Sequence, residues 1–176
     1  MYYTFSVSAS HMYHRKYLDF LLSHYEGLGM PYSFPVSFNF IASPLLIEDS
    51  RCILCLDDDG EAVGALGYIR GTGEGDYEDR HILQLQVAYL VEECRRTPVF
   101  LRGLQFLTEY LEEETEEVAE LVFWTKQDAY LARLFGKFAE RTSVSGTAAG
   151  DLYAYRVTLA QLKAYVGRFA SRSIDS

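Results

Sequence analysis

The run from Ile82 to Leu111 constrains the fold more than any other stretch. It reads ILQLQVAYLV, then EECRRTPVFLRG, then LQFLTEYL. An apolar strand-forming segment feeds a short basic turn, and the turn opens directly into a segment with apolar residues at helical spacing. The first N–H groups of such a helix have no partner within it, and the positive end of its dipole lies there. A phosphate or pyrophosphate fits that position. Arg95, Arg96 and Arg102 gather around it in a chain whose formal net charge is −9. The competing use of these guanidinium groups is ion pairing with Glu92 and Glu93.

Bulk properties narrow the classes. A chain of 176 residues favours one domain. It is 49% hydrophobic, enough for a core, and 23% charged, an ordinary share for a globular protein. With a pI near 4.9 it lacks the basic face of a phosphate-backbone reader, so nucleic acid is not an expected partner. No apolar run approaches the roughly 20 residues that cross a bilayer, so no membrane partner is expected either. The N-terminal MYYTFSVSASHMYHRKYL lacks the basic segment and apolar core of a secretion signal. Three cysteines, an odd number, suit a reducing compartment, and the expected location is the cytoplasm.

Along the chain, Tyr2 to Val7 reads as a weak first strand and His11 to Leu28 as an amphipathic helix ended by Gly27 and Gly29. Tyr32, Phe34, Val36, Phe38 and Phe40 alternate with small polar residues and Pro35, which predicts an edge strand or an extended loop. Arg51 to Leu56 and Ala62 to Arg70 form a hairpin around Asp57-Asp58-Asp59-Gly60. Gly71 to Asp76 is an acidic loop. Ile82 to Val91 is the central strand, and Val99 to about Val118 a helix. Leu121 to Thr125 is a short strand, and Ala129 to Ala139 a helix with Asp128 or Thr125 near its start. Asp151 to Thr158 is a strand, Leu159 to Phe169 the last helix, and Ser171 to Ser176 a frayed tail. This order predicts an α/β (α+β) fold, a mixed central sheet with helices on both faces. All 176 residues are expected in one domain. Residues 1–50 form a helical, aromatic front end, 51–158 the hairpin and core, and 159–176 the last helix and tail.

That order, with a strand, a basic turn and a helix at its centre, resembles the GNAT superfamily of acyl-CoA N-acyltransferases over about Arg51 to Thr158. The family's Val-x-Pro-x-x-Arg lead-in falls on Val91-Glu92-Glu93-Cys94-Arg95-Arg96. Its Arg/Gln-x-x-Gly-x-Gly/Ala signature falls on Arg96-Thr97-Pro98-Val99-Phe100-Leu101. Arg96 matches. Val99 and Leu101 stand at the two glycine positions, where a Cβ crowds an approaching phosphate, and Pro98 removes one N–H. The family's Asn-x-x-Ala-x-x-Leu-Tyr-x-Lys-x-Gly-Phe motif falls on Asp128 to Glu140. Asp128 takes the Asn place, Leu134 and Lys137 match, and Phe135 takes the place of the Tyr that protonates the departing thiolate. The family's glutamate base falls on Val87 in this register.

The resemblance implies acetyl-CoA or another acyl-CoA as donor, lying along the central strand at Leu90 and Val91. Its pyrophosphate would sit over Arg95, Arg96, Thr97, Val99, Phe100, Leu101, Arg102 and Gly103, with Asp128 contacting pantetheine. A small-molecule or peptide amine would enter between the Tyr-rich front end and the Gly71–Asp79 loop, whose acidic residues suit a cationic amine. With the usual acid and base replaced, Tyr130, Tyr89 or Glu93 would serve instead. A second implied reading is a GNAT-fold binding or regulatory protein without chemistry, its aromatic front end forming a homodimer or partner interface. A third is a transferase that takes another phosphorylated or aminoacyl donor at the same helix start.

Other constellations carry blander readings. Cys52 and Cys55 fall at i and i+3 of a predicted strand, so they point to opposite faces and read as buried thiols. No second pair stands at zinc spacing. His11 and His14 lie one helical turn apart without a partner carboxylate, and no metal is expected. His81 is a candidate base beside the cleft. Gly71-x-Gly-x-Gly is not preceded by a strand that leads into a helix, so it is no dinucleotide fingerprint. Seven glutamates between Glu109 and Glu120 read as a solvated helix end that opposes its own dipole.

Overall fold

Strand-forming and helix-forming segments assemble into one seven-stranded sheet with helices on both faces. The computed structural model describes residues 2–7, 10–147 and 150–170; the tail expected over Ser171 to Ser176 lies outside them. In chain order the elements are β1 (Thr4–Val7), α1 (His11–Ser23), α2 (Tyr25–Leu28), α3 (Phe34–Leu46), β2 (Arg51–Leu56), β3 (Ala62–Arg70) and β4 (Ile82–Leu90). A single 3₁₀ turn at Glu92–Cys94 leads to α4 (Val99–Glu112). Then follow β5 (Glu120–Lys126), α5 (Ala129–Phe135), β6 (Glu140–Thr147), β7 (Gly150–Thr158) and α6 (Leu159–Ala170). The strand order is β1-β2-β3-β4-β5-β7-β6. Every neighbouring pair is antiparallel except β4 and β5.

Two features of β4 position the site. It bonds in register to β3 along its whole length, with one extra residue, Gln86, between the Gly67↔Val87 and Tyr68↔Leu85 pairs. Such a bulge turns the following side chains to the other face. Leu83 and Leu85 accordingly pack toward α4 and α6, whereas Val87, Tyr89 and Val91 pack toward α1 and α3. Toward β5 the pairing is short. Ile82↔Glu120, Leu83↔Leu121 and Gln84↔Val122 are in register, and beyond them the two strands part. The sheet therefore opens into a V whose vertex is the Gln84–Val122 pair.

One side of the sheet carries α1 and α3 over Cys52, Leu54, Ala65 and Val87. The other carries α4 and α6 over Ile53, Tyr68, Leu83 and Leu121. Cys52 and Cys55 do fall on opposite faces, both buried, and burial pushes the Cys55 thiol up to about 11. The front end is continuous with the core, since β1 is an edge strand on β2.

Several expectations need correction. Tyr32 to Phe40 is not a strand; from Phe34 onward it is the start of α3. Pro35 occupies the first turn, where its missing N–H costs nothing, and Ser37, Ile41 and Ala42 turn inward at helical spacing. The first helix breaks at His24, and the α2 turn ends on Gly29 in the left-handed conformation. The helix after the basic turn stops at Glu112, short of Val118. Glu114 and Glu116 leave its axis for Arg70 and Arg80, and Val118 is buried in the core. The second motif's helix ends at Phe135, short of Ala139. β6 escaped prediction because ERTSVSGT has no apolar alternation; it is an exposed edge strand.

Gly67 is where α1 and α3 close most tightly on the sheet. A Cβ there would overlap the Tyr17 hydroxyl and the Pro44 ring, and that hydroxyl donates to the Ile41 carbonyl at 2.9 Å. Overpacking of this kind costs about 1–3 kcal/mol. Gly67→Ala is expected to lower stability by about that amount, whereas Gly73→Ala, in open space, should change it by less than about 0.5 kcal/mol. Urea denaturation of both variants checks this, and equal midpoints would show that the two helices do not clamp this face.

Candidate functional site

The mouth of the V is framed by two helix starts. α4 follows β4 and α5 follows β5, so both N-termini lie at the same end of the diverging strands. They differ in how they are capped. At α5, the Asp128 carboxylate accepts from the Tyr130 and Leu131 N–H groups at 2.8 and 3.0 Å, so a negative group already fills that end. At α4 the capping position is Pro98, which has no side-chain acceptor to offer. Among the described residues only the Val99 N–H of its first turn is met, by the Thr97 hydroxyl at 3.3 Å. The first intrahelical bond runs from the Arg102 N–H to the Pro98 carbonyl, so helix geometry leaves the Phe100 and Leu101 N–H groups free to face an anion. The expected anion position is thus α4, not α5.

The arginines divide around it. Arg96 has φ of 62°, a left-handed conformation that only glycine adopts freely. Its guanidinium lies 5.3 Å from the centre of the Tyr130 ring. This cation–π contact spans the mouth, joining the β4 turn to the start of α5. Arg95 folds back, donating to the Leu90 carbonyl at 2.8 Å and lying over Tyr89. Arg102 is exposed on the first turn of α4. Among the described residues none of the three forms an ion pair with Glu92 or Glu93. The competing use of these charges is not what the structure shows.

The crowding expected from Val99 does not arise. Its side chain turns under the turn, buried against Cys55 and Cys94. Gly103 also faces inward, where a Cβ would contact the Phe5 ring at 3.3 Å, so it does not front the anion position as expected. Leu90 packs in the same cluster as Val99, and Val91 donates its N–H to the Val63 carbonyl.

The candidate catalytic residues are not brought together. Tyr130 lies at the mouth under Arg96. Glu93 is exposed in the 3₁₀ turn. Tyr89 is half-buried on the α1 side, stacked on His24 at 5.0 Å and packed against Phe20 and α2 at Gly27. Val87, in the place of the family glutamate, is buried beneath α1 and α3. Phe135 packs in the core against Phe100, Phe123, Phe138 and Tyr155, with ring centres 5.0–6.5 Å away. His81 and the Gly71–Asp79 loop, expected beside the cleft on the acceptor side, lie at the opposite end of β4 from the helix starts. The loop is stitched to itself, because the Thr72 hydroxyl and N–H both bond the Asp79 carboxylate. Among the described residues no three His, Cys, Asp or Glu side chains are placed to hold a metal, and His11 and His14 simply meet edge to face.

Sequence reasoning missed the vertex itself. Gln84, only 8% exposed, donates to Gln86 at 2.6 Å, and Gln86 donates to the Ser43 hydroxyl of α3 at 3.0 Å. The available signal was a pair of alternating glutamines inside an otherwise apolar strand. Across the V, Val122, Trp124 and Lys126 of β5 project to the same side, with Trp124 42% exposed. Two shallow grooves lie elsewhere. One, of about 340 Å³, lies between the end of α5 and α6, and one, of about 470 Å³, lies along α1. Neither touches the V.

No family model matches the chain, and neither does any curated protein. Solved structures do match. An acetyltransferase of the GNAT family from Staphylococcus aureus Mu50 superposes with a TM-score of 0.65 at 13% identity, over 89% of this chain and 99% of that one. The ribosomal-protein-S18-alanine N-acetyltransferase of Escherichia coli gives 0.62 at 14% identity, over 90% and 94%. A GNAT-family acetyltransferase of Streptococcus pneumoniae gives 0.62 at 12% identity, over 88% and 99%. The chain has the GNAT fold. At these identities the likeness establishes architecture, and the chemistry has to be argued from this chain's own residues. In this GNAT fold the described residues contain no helix long and apolar enough to cross a membrane.

The placement of Phe135 has a measurable consequence. A ring held by four others belongs to the core, and Phe→Ala in such a position costs about 3–5 kcal/mol. Phe135→Ala is expected to fall at or just below that range because the ring is partly exposed, and Tyr130→Ala should stay within about 0.5 kcal/mol of the parent. Thermal and urea unfolding distinguish the two. A neutral Phe135→Ala would place the ring in an open cleft.

Proposed function

We propose that this protein is an N-acyltransferase that moves an acetyl or longer acyl group from acyl-CoA to an amine. The single observation that carries this reading is the continuity of an unpaired strand edge with an uncapped helix start. Beyond Gln84 the β5-facing edge of β4 has no partner strand among the described residues, so, apart from the Leu90 carbonyl that accepts from Arg95, its N–H and C=O groups are free for an extended ligand that bears amides. The pantetheine arm of CoA is such a ligand. At the end of that edge stand the free Phe100 and Leu101 N–H groups with Arg96 and Arg102, which suit its pyrophosphate.

The donor would run from the mouth, through the Arg96–Tyr130 contact, down to the vertex. There the thioester meets an amine entering from the α3 side. The amine nitrogen bonds to the carbonyl carbon, and the oxyanion is held by a β4 N–H. The C–S bond then breaks with its electron pair on sulfur, and the amine proton ends on the CoA thiol through water. Thiols titrate near 8.5, so the thiolate leaves without a dedicated acid, which accommodates phenylalanine at 135. Positioning carries most of the rate in such a site. Tyr89 and Glu93 line the acceptor side and the rim in this reading, and Tyr130 serves the donor's phosphate end. Small-molecule and peptide amines both fit.

Calorimetric titration with acetyl-CoA, with free CoA as control, tests the proposal. Micromolar binding is expected. Arg96→Ala should weaken it about tenfold with an unchanged melting temperature, since a charge-assisted contact contributes about 1.5–3 kcal/mol. No binding up to millimolar acetyl-CoA would reject the acyltransferase reading.

A further inference from the structure

The hydrogen-bond chain at the vertex has a fixed direction, and one proline sets it. Pro44 lies inside α3 and has no N–H to donate to the Phe40 carbonyl four residues earlier. The Ser43 hydroxyl takes that carbonyl instead, at 3.1 Å. A carbonyl oxygen can only accept, so Ser43 must be the donor there, and its oxygen is left to accept. It accepts from Gln86 Nε2 at 3.0 Å. Gln86 Oε1 therefore faces Gln84 and accepts from Gln84 Nε2 at 2.6 Å. The amide that ends the chain thus presents Gln84 Oε1. Among the described residues nothing donates to that oxygen, and it belongs to the last residue of β4 paired with β5.

We infer that Gln84 Oε1 holds one N–H of the acceptor amine at the vertex, and that the acceptor is an amine already neutral at working pH. This rests on the acyltransferase reading and specifies its acceptor. An acceptor-only group grips an N–H and leaves the nitrogen lone pair pointing away, toward the thioester carbon. Nothing in the chain from Phe40 to Gln84 ionises, so it can neither remove a proton nor balance an ammonium. α3 carries no charged residue, and the only titratable side chain of β4 is Tyr89, five positions toward the mouth. On β3, Ile69 faces Gln84, while Arg70 points to the α4 side and Glu114. From α1, the Tyr17 hydroxyl is committed to Ile41; His24, between α1 and α2, lies against Tyr89, and on α2 Tyr25 meets the Phe34 ring while Glu26 is exposed. On β5, Glu120 lies 3.8 Å from Arg156 of β7, and Lys126 sits against Gly29 of the α2 cap. Among the described residues β5 thus offers the vertex one ion-paired carboxylate, Glu120, and one cation, Lys126, and neither favours a second cation there. Peptide α-amines titrate near 7.7–8.0 and lysine ε-amines near 10.4, so at pH 7 the neutral fraction of the former is roughly several hundredfold larger. Arylamines are neutral throughout. Such weakly basic amines are the expected acceptors, in preference to lysine side chains.

The experiment is CoA-thiol release by the full chain with acetyl-CoA. The acceptors are an arylamine, a peptide with a free α-amine, and an Nα-blocked lysine, assayed from pH 6 to about 9. At pH 7 wild type is expected to prefer the first two by at least about a hundredfold. Its kcat/KM, expressed per neutral amine, should be flat with pH. Gln84→Met keeps the shape without the acceptor oxygen, and should lower kcat/KM for the amine about 10–100-fold with KM for acetyl-CoA unchanged. Ser43→Ala, which frees the chain to reverse, should lower it less. Gln84→Glu should add a carboxylate limb to the pH profile, and Glu120→Gln should leave wild-type rates. Gln84→Met within twofold of wild type, a preference for the lysine, or a wild-type profile abolished by Glu120→Gln would each overturn the inference while leaving the acyltransferase reading intact. No thiol release with any acceptor, together with no calorimetric binding of acetyl-CoA, would instead sink the reading on which it stands.

Discussion

Backbone hydrogen bonding between β4 and β5 runs for three residue pairs and then stops, and the rest of the site follows from that break. A buried strand edge without partners is costly, because each N–H and C=O forfeits a bond that water would otherwise supply. A sheet tolerates such a gap where something else will occupy it. Here the gap ends at a helix start that also lacks a cap, with arginines around it. Two kinds of unmet backbone valence, one along a strand and one at a helix end, therefore lie in line.

What keeps the gap from closing is the packing on either side. α4 and α6 lock β4 to the lower part of β5 through Leu83, Leu107, Leu121 and Leu162. On the opposite face α1 and α3 hold β4 to β3 instead, through Tyr17, Ile41, Ala65 and Val87. The bulge at Gln86 is where β4 changes allegiance from one layer to the other. Gln84 and Gln86, two positions apart, share the α3 side beside the vertex by ordinary strand alternation, and the bulge keeps Val87 on that side with them.

The legibility of the chain in its sequence was uneven for physical reasons. β2, β3, β4 and the first turns of α4 were readable because buried strands and amphipathic helices impose periodicity on their own residues. α3 was misread because Phe34, Val36, Phe38 and Phe40 alternate while lying on a helix; Pro35 at its first turn is the better signal. β6 was invisible because a solvent-exposed edge strand needs no apolar face. Arg96 was found from its place in a motif, yet its partner Tyr130 was assigned a different role. Val99 was read as an obstruction because a Cβ at a glycine position suggests crowding, and only its rotation into the Cys55–Cys94 cluster removes the conflict.

By itself the sequence determined most of the local order, namely which segments other than α3 and β6 are strand or helix, that a basic turn joins β4 to α4, and that phenylalanine replaces tyrosine at 135. Tertiary structure alone decided that β4 and β5 part after Gln84, that α5 is capped while α4 is open, and that Gln84 ends a directed chain of bonds. Gln86 and Ser43 are 43 positions apart, and hydrophobic periodicity says which face a residue takes but not which polar group it meets there. That meeting is fixed by how helices seat on the sheet, which depends on the whole packed core.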